Sequence, residues 1–523
     1  MAARPIVGAL ISAALVLGAV AAPAAAAPAP AVERVNGTSL SAIAISSSKL
    51  QFPESAAVVV IANKNAFPSG VAGAAAARAL GGPLLLVEAT SVSSTVLAEI
   101  RRLSPARIIV LGSTTSVSAS VYSKLTSVQP NITRIAQNDY RTSEALAAAA
   151  FPDGAATAVI GSGTKSSTLL AAGAYAAQIG APILYVRSSD TSIRASLAQS
   201  LTTLGVRSAV IVGSTSVVTK SLQSALTARG VETRRVAAQD AYATSIALAR
   251  LSPDVDAATL VSATTYSSGV PAIGLAASRG APLVLTIPYC ASNALTSWVT
   301  GASITRLTLV GSPKYVRGLV GSLESCRSTT TASSLWVLAN KKNKLSPAAY
   351  VPSGLRLPNI QRSGSHQLRD AAADALEQLV SDARGAGAGR IGISSGYRSY
   401  STQKALYARY VATRGQAWAD SQSARAGYSE HQTGLAADLM ACSASSCGSI
   451  YAIASTTQGK WLAKNSWKYG FILRYGNGKT STTGYTYEPW HFRFVGKALA
   501  ADYAAGGFST LESYFGTGRA PTY

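Results

Sequence analysis

A repeat with a period near one hundred residues runs from residue 32 to residue 326, and it limits the possible folds more than any other feature. Three kinds of phrase recur in the same phase: an opening with an arginine, a glycine and proline followed by aliphatic residues, and an aliphatic run ending in Gly-Ser. They occupy residues 34–37, 134–137 and 235–238; 82–86, 180–184 and 280–284; and 108–113, 209–214 and 308–312. Because a repeated pattern specifies a repeated structural unit, we predict three similar units at 32–133, 134–233 and 234–326.

Within each unit, short aliphatic runs alternate with alanine-rich stretches of ten to fifteen residues. The run at 57–61 shows no period-two alternation, as expected for a strand of a parallel sheet that is covered on both faces. The stretches at 71–80 and 169–179 have the length and composition of helices. This alternation predicts a parallel, open, Rossmann-like α/β sheet flanked by helices in every unit. No Gly-x-Gly-x-x-Gly or Walker pattern occurs, so a nucleotide site is not supported.

The triple arrangement resembles the cell-wall-binding repeat type 2, whose three tandem units pack around a pseudo-threefold axis and hold anionic polymers of Gram-positive walls. The resemblance implies an anionic wall polymer as partner. The chain departs from the family in having Gly-Ser at 112–113, 213–214 and 311–312 instead of Gly-Gly, and in a reduced Phe-x-Asp-Ala-Leu phrase at 67–71. These departures bear on which polymer is bound. The alternative is that the units are spacers, since a fold by itself does not imply a function.

Only three histidines occur in the chain, and two of them stand near carboxylates. His431 precedes Asp438 by seven residues, and Glu488 precedes His491 by three. Two imidazoles and one carboxylate form a ligand set that a catalytic zinc uses, with a fourth position left open for water. Glu488 would then act as the general base on that water. The spacing alone is more typical of buried, hydrogen-bonded histidines than of metal ligands.

The phrases around these residues resemble the VanY-type D-alanyl-D-alanine carboxypeptidases, which are zinc peptidases of the cell wall. The resemblance extends over residues 335–516 and rests on four separate phrases: Ser-x-His-x-x-Gly-x-Ala-x-Asp at 429–438, Ser-Gly-Tyr-Arg-Ser-Tyr-x-x-Gln at 395–403, Tyr-Gly-Phe-Ile-Leu-Arg-Tyr at 469–475, and Glu-Pro-Trp-His-Phe-Arg at 488–493. It implies a small α+β zinc peptidase domain with an antiparallel sheet, with Zn²⁺ held by His431, Asp438 and His491. Within this domain we predict helices at 368–384 and 402–413, and strands at the two histidine phrases.

The same resemblance implies roles for residues outside the metal set. Arg398 would bind a substrate carboxylate or a polarised carbonyl, both of which suit a guanidinium, although a surface ion pair is the alternative. Ser429, Gln403, Tyr397 and Trp490 would contact the substrate, although aromatic residues at such places are as often part of the core.

Four cysteines suit an exported protein. Of the three possible connectivities we favour pairing within each domain, Cys290 with Cys326 and Cys442 with Cys447; a metal role for the second pair is the weaker possibility. The N-terminus has Arg4, an apolar stretch at 6–20 and small residues before Pro28. We predict a signal peptide at 1–27, with an uncleaved membrane anchor as the alternative. Residues 327–334 form a polar linker of flexible composition.

The net charge of +23 is shared by both halves of the chain and favours a polyanionic partner. No basic run with interleaved aromatic residues, helix-turn-helix pattern or zinc-finger spacing occurs, so nucleic acid is disfavoured. We therefore expect a secreted, wall-associated zinc carboxypeptidase of a Gram-positive-type bacterium, with no transmembrane anchor after signal cleavage. Its substrates would be peptidoglycan stem peptides ending in D-Ala-D-Ala. The alternatives are an endopeptidase of the same zinc fold and a surface protein whose peptidase domain is inactive.

Overall fold

The computed structural model describes residues 28–164, 166–252 and 254–523. The predicted signal peptide, residues 1–27, lies outside the described residues. None of the helices within those ranges has both the length and the apolar character needed to cross a bilayer. The chain forms a region of three α/β units followed by a C-terminal domain.

The N-terminal region consists of helices and strands in strict alternation. The first unit and the strand before it comprise β1 (Ala31–Val35), α1 (Leu40–Gln51), β2 (Val58–Asn63), α2 (Phe67–Ala79), β3 (Leu84–Val87), α3 (Ser94–Leu103), β4 (Arg107–Leu111), α4 (Ala119–Thr126) and β5 (Ile132–Ile135). The second comprises α5 (Asp139–Ala150), β6 (Thr157–Ser162), α6 (Ser166–Gln178), β7 (Ile183–Val186), α7 (Ala195–Thr203), β8 (Ser208–Val212), α8 (Lys220–Ala228) and β9 (Glu232–Val236). The third comprises α9 (Ala241–Ala249), β10 (Ala257–Ser262), α10 (Ile273–Ser278), β11 (Leu283–Thr286), α11 (Asn293–Gly301), β12 (Arg306–Val310) and α12 (Gly318–Gly321).

Each unit has a four-stranded parallel sheet, so the predicted sheet type is confirmed. The strand orders are β3-β2-β4-β5 and β7-β6-β8-β9 in the first two units. In the third unit the order is β1-β12-β10-β11, so the fourth strand comes from the start of the chain, with Val35 opposite Val310. Strands β5 and β9 also run across the predicted unit boundaries, because a period can be read from a sequence but its starting point cannot.

The arginine of each opening phrase fastens the fourth strand to its sheet. Its guanidinium donates to the carbonyl oxygen of the glycine after the neighbouring strand: Arg134 to Gly112 at 2.7 Å, Arg235 to Gly213 at 2.8 Å, and Arg34 to Gly311 at 2.7 Å. These glycines have positive φ angles, which glycine adopts at little cost. The recurring arginine and the recurring Gly-Ser are therefore two halves of one contact.

The three units pack against each other through α2, α6 and α10. A Cβ atom on Gly173 of α6 would lie 2.2 Å from Cγ1 of Val71 in α2, so only glycine permits this approach. Tyr185 of the second unit donates its hydroxyl to the carbonyl oxygen of Pro68 in the first, at 2.8 Å. Small side chains thus let helices of different units share one apolar core.

The C-terminal domain is an α+β fold around one five-stranded sheet. Its elements are β13 (Leu355–Arg356), β14 (Gln361–Arg362), β15 (Leu368–Arg369), α13 (Asp370–Gly385), β16 (Arg390–Ser395), α14 (Tyr400–Arg414), α15 (Gln416–Gln422), β17 (Ala436–Cys442), α16 (Thr457–Asn465), β18 (Phe471–Leu473), α17 (Thr480–Thr483), β19 (His491–Phe494), α18 (Lys497–Ala505) and α19 (Leu511–Phe515). The central sheet has the order β14-β16-β17-β19-β18.

Two predictions for this domain need correction. The sheet is mixed and not purely antiparallel, because the short edge strand β14 pairs with β16 in parallel. Neither histidine phrase is a strand throughout, since residues Glu430–Thr433 form a 3-10 turn before β17 begins, and residues 489–490 form a turn before β19 begins at His491. The two predicted helices are present as α13 and α14, with α13 starting at Asp370 because β15 takes the two residues before it.

Both disulfides are present with the favoured pairing, Cys290–Cys326 and Cys442–Cys447. The polar segment 327–334 packs more closely than its composition suggested. Ala332 is buried, and the backbone N–H of Leu338 donates to the carbonyl oxygen of Thr329 at 2.8 Å.

Candidate active site

Strand pairing brings Asp438 and His491 together. They are direct partners in the antiparallel register of β17 and β19, so their side chains leave the sheet on the same face. Leu435, Ala437 and Leu439 belong to the apolar core on the opposite face. The alternation expected for a strand that carries a ligand on one face is therefore what the structure has.

His431 reaches the same place from the turn before β17. The turn ends at Gly434, whose φ of 67° reverses the chain and whose missing side chain leaves room for Arg369 and Leu355. The Nδ1 atom of His431 lies 2.7 Å from the carbonyl oxygen of Gly396. A proton on Nδ1 would complete that hydrogen bond and leave the Nε2 lone pair free for a metal ion.

Glu488 and His491 stand at the two ends of a tight turn. The N–H of His491 donates to the carbonyl oxygen of Glu488 at 3.2 Å, and Pro489 occupies the second position, where proline is favoured. As a result, Oε2 of Glu488 lies 3.6 Å from Nδ1 of His491. One short segment thus aims both side chains into the same space.

The three donors fit a metal ion. One ligand atom from each of His431, Asp438 and His491 lies within 4.8 Å of the others, and all three residues are buried. Nε2 of His431 lies 3.2 Å from Oδ2 of Asp438, and Nδ1 of His491 lies 3.2 Å from Oδ1. Oδ1 of Asp438 has no hydrogen-bond donor although it is buried, and a bound cation would satisfy it. Two nitrogens and one carboxylate suit zinc.

Glu430 supports this cluster from behind. Its Oε2 atom lies 3.4 Å from Nε2 of His491, on the side of the ring away from Asp438. Its Oε1 atom accepts hydrogen bonds from Arg474 and Arg493, each at 2.9 Å. A carboxylate behind a metal-binding imidazole fixes the ring and its protonated nitrogen. No role for Glu430 was predicted, although a glutamate directly before a ligand in a buried phrase was a usable signal.

Burial and neighbouring charges shift the pKa values of the site. Burial raises the pKa of Glu488 to about 8. Burial alone would raise the pKa of Asp438, but the neighbouring His431 and, next, His491 reverse that effect. Burial would lower the pKa of His491, but the contact with Asp438 reverses it. The pKa of Asp438 is well below its usual range, and that of His491 is raised to about 9 with help from Glu430. Burial lowers the pKa of His431. A metal ion would displace the proton from His491 and lower the pKa of Glu488.

Arg398 lines the cleft beside these residues. Its guanidinium donates to Oε1 of Gln403 at 2.8 Å and to Oγ of Ser395 at 2.9 Å. Among the residues that the structure describes, no carboxylate forms an ion pair with Arg398, so the alternative role in a surface ion pair is not supported. Gln403 is completely buried, and its amide nitrogen is bonded to Ser423 and Ala424. Gln403 therefore holds Arg398 in place and does not face the cleft.

The cleft has a volume of about 120 Å³. Of the other residues predicted to contact substrate, Ser429 and Trp490 line it and Tyr397 does not. The sequence did not indicate several further lining residues: Leu406, Tyr410, Gln422, Ser423, Tyr451, Tyr475 and Tyr485. Tyr451 is the most exposed of these, and its ring packs edge-on against Trp490 with centroids 4.9 Å apart.

Comparisons with known proteins agree with this division of the chain. A family model described as D-alanyl-D-alanine carboxypeptidase (VanY) matches residues 365–497, and one described as cell wall binding domain 2 matches residues 34–122 and 134–223. The chain is 41% identical over 183 residues to the putative carboxypeptidase YodJ of Bacillus subtilis (strain 168), covering 34% of this chain and 66% of YodJ. It is 38% identical over 142 residues to a D-alanyl-D-alanine carboxypeptidase of Enterococcus faecium, covering 27% of this chain and 42% of that protein.

The chain thus spans less than two thirds of the length of either curated relative. Among solved structures, Cwp6 from Clostridium difficile shares the fold with a TM-score of 0.51 at 17% identity, over 75% of this chain and 64% of Cwp6. Residues 365–497 are therefore a VanY-type D-alanyl-D-alanine carboxypeptidase domain, preceded by cell wall binding domain 2 repeats.

Proposed function

We propose that this protein is a zinc-dependent D-alanyl-D-alanine carboxypeptidase that trims peptidoglycan stem peptides at the cell wall. The observation that carries the proposal is the convergence of His431, Asp438 and His491 on one buried point, with Glu488 directly beside it. Both curated relatives described above are carboxypeptidases by name, one of them putative.

Four residues would carry out the hydrolysis, three as metal ligands and one as general base. A zinc ion held by His431, Asp438 and His491 would supply Lewis acidity, which makes water a better nucleophile and polarises a carbonyl group. Glu488 accepts the proton of the attacking water at Oε2 and delivers it to the departing amine. Its pKa, raised by burial, suits this shuttle, because a general base works best when its pKa is near the operating pH.

Arg398 and the shape of the cleft favour removal of a single residue. The guanidinium faces the cleft without a carboxylate partner among the described residues, so it is available to a substrate carboxylate or to the oxyanion of the reaction. A volume of about 120 Å³ is small beside the roughly 300–1,000 Å³ of pockets that bind drug-sized ligands. A small terminal amino acid such as D-alanine fits that limit.

The first test is D-alanine release from a synthetic stem pentapeptide by zinc-loaded protein. We expect release that disappears in Glu488→Ala and after chelation, and that persists in Glu54→Ala, which removes an exposed glutamate of the first unit. New internal fragments from intact peptidoglycan, without D-alanine release, would mean an endopeptidase. An unchanged wall digest from metal-replete protein would contradict any peptidase function.

We further propose that the three units bind an anionic wall polymer and so retain an exported protein at the surface. A cleft of about 1020 Å³ between the first and third units is lined by Lys49, Lys64 and Lys314 together with many hydroxyl groups. Lys64 is paired with Glu88 at 2.6 Å, so Lys49 and Lys314 are the ammonium groups better placed for a ligand. Salt-sensitive binding to purified wall polymer but not to DNA, weakened in Lys49→Glu with Lys314→Glu, is the expected result.

Export would depend on the segment 1–27, proposed as a cleaved signal peptide. Terminal sequencing of the protein recovered from the wall fraction tests this, since cleavage would leave an N-terminus near residue 28. A terminus at residue 1 would instead support a retained anchor.

A further inference from the structure

We propose that the third unit positions the metal ligand His491, through a chain of contacts that begins at Arg317 and ends at Glu430. The inference rests on the proposed metal site. It makes Arg317 and Glu512 positioning residues, since neither lines the catalytic cleft. The contact chain has three links.

The inner link is the support of His491. Glu430 lies against Nε2 of that ring, and Arg474 and Arg493 both bond to the other oxygen of Glu430. All three of these supporting side chains are completely or almost completely buried. A buried carboxylate needs its cations in place, so the position of Glu430 depends on the two arginines.

The middle link anchors the two arginines. Arg474 makes a two-pronged contact with Glu512 of α19, at 2.7 and 3.0 Å. Arg493 donates through Nη2 to the carbonyl oxygens of Leu335 at 3.1 Å and Val337 at 2.8 Å. The supports of Glu430 therefore come from two segments at opposite ends of the C-terminal domain sequence, the entry at 335–338 and helix α19.

The outer link seats both segments on the third unit. Arg317 donates through Nη2 to the carbonyl oxygens of Ser513 at 3.1 Å and Tyr514 at 2.6 Å, so it bonds directly to α19. Cys290 and Leu319 of the third unit also share one apolar cluster with side chains of both segments. The members of that cluster from the two segments are Trp336, Leu338, Leu511, Tyr514 and Phe515. The Cys290–Cys326 disulfide holds the chain at this seat just before it enters the C-terminal domain.

Helix α19 needs this seat because it has only five residues. Isolated helices shorter than roughly 12–15 residues are marginal in water, so packing must hold α19 in place. If the hydrogen bonds from Arg317 to α19 are lost, Glu512 is no longer held in position and Arg474 loses its contact with Glu512. Glu430 is then free to move away from His491. The expected consequence is weaker metal binding, although the three ligands are all still present.

The test measures metal affinity and the absorption spectrum of the cobalt(II)-loaded full chain, without any substrate. We expect Glu512→Gln to weaken zinc affinity by about tenfold, at the lower end of the range for outer-shell partners of metal ligands, and Arg317→Ala by about threefold, because it acts one contact further from the metal. Both should alter the cobalt bands, and Arg317→Lys should restore most of the affinity by keeping one hydrogen bond. The matched control is Arg235→Ala, whose guanidinium also bonds backbone carbonyls but within the second unit.

Zinc affinity and cobalt bands equal to those of the Arg235→Ala control in both variants would overturn the inference. So would a wild-type chain that binds neither metal. If Glu512→Gln fails to fold, Arg317→Ala decides, because it lies outside the C-terminal domain. Metal binding that responds as expected in a protein that releases no D-alanine would leave this inference standing and would count against the proposed function instead.

Discussion

Helix α6 and strand β19 show how differently the two regions of this protein fill their interiors. Most buried positions of α6 carry leucine or alanine, with Thr168 as a buried polar residue, and the units around it share a core of aliphatic side chains. Strand β19 buries His491 and Arg493, and Arg474 and Glu512 are buried beside it. In the three-unit region, Glu99 and Glu144 are also buried, each paired with an arginine that reaches the unit surface.

The stability of the two interiors therefore depends on different properties of their residues. An aliphatic core is sensitive to volume, because a missing or added methyl group leaves a void or a clash. A core that contains Glu430, Glu512, Arg474 and Arg493 is sensitive to charge, because removing one member leaves another buried without compensation. Substitutions that change only charge or only volume should therefore affect the two regions unequally.

The largest effect should follow from a change of charge at constant shape. Glu430→Gln leaves Arg474 and Arg493 short of one buried negative charge, and we expect a loss of about 3–5 kcal/mol of stability. Urea unfolding followed by tryptophan fluorescence measures it well, because five of the six tryptophans lie in the C-terminal domain. The volume-conserving change Leu85→Met in the first unit, measured by urea unfolding followed by circular dichroism, should cost less than about 1.5 kcal/mol. Equal losses in the two variants would contradict the comparison.

Zinc should stabilise one region only. At a free concentration of one hundred times its dissociation constant, a ligand that binds the folded state alone adds about 2.7 kcal/mol. We expect this gain in the unfolding followed by tryptophan fluorescence, its loss with a chelator, and its absence in His491→Ala. A zinc-dependent shift that survives in His491→Ala would mean that the ion binds elsewhere.

Side-chain volume should determine stability where the helices of the three units pack together. Gly173→Ala places a methyl group where Val71 stands, and we expect a loss of about 1–3 kcal/mol. The matched change Gly301→Ala, in a helix with open space around that position, should be neutral or stabilising by up to about 1 kcal/mol. Thermal unfolding followed by circular dichroism measures both variants. A tolerated Gly173→Ala would show that the central helices can move apart.

The smallest effect should be a decrease in stability at low pH. The contacts of Asp420 with Arg425 and Tyr407 outweigh burial and lower the pKa of Asp420 to about 2. Its contribution to stability is therefore present above pH 4 and disappears as the pH falls toward 2. Because the side chain of Arg425 is 42% exposed and solvent screens the ion pair, the contribution should be below about 1 kcal/mol. Asp420→Asn should remove that part of the pH dependence, measured by urea unfolding at pH 5 and pH 3. An unchanged difference between those two conditions would exclude this ion pair as its source.

Local patterns were enough to predict much of the architecture. The repeated aliphatic runs predicted parallel sheets, and the family resemblance of the phrases around His431, Asp438, Glu488 and His491 implied a cluster that the structure does bring together. Both kinds of prediction work because a strand or a ligand phrase is encoded in a few neighbouring residues. The predicted substrate contact of Gln403 depended on which way its side chain points, and a sequence phrase does not encode that orientation. In the structure its amide points inward, toward Ser423 and Arg398.

Sequence patterns and the family resemblance were enough to predict the number of units, their sheet type, the favoured cysteine pairing and the four residues that converge in the candidate active site. Only the tertiary structure decided that β1 completes the third sheet, that Glu430 supports His491, and that Arg317 holds α19. Each of these contacts joins residues that are dozens to hundreds of positions apart. The repeat marks both partners of the first contact but does not say which copies pair, and the other two contacts leave no periodic mark on either partner. Their formation depends on how the packed units and the C-terminal domain meet, and that is a property of the folded chain.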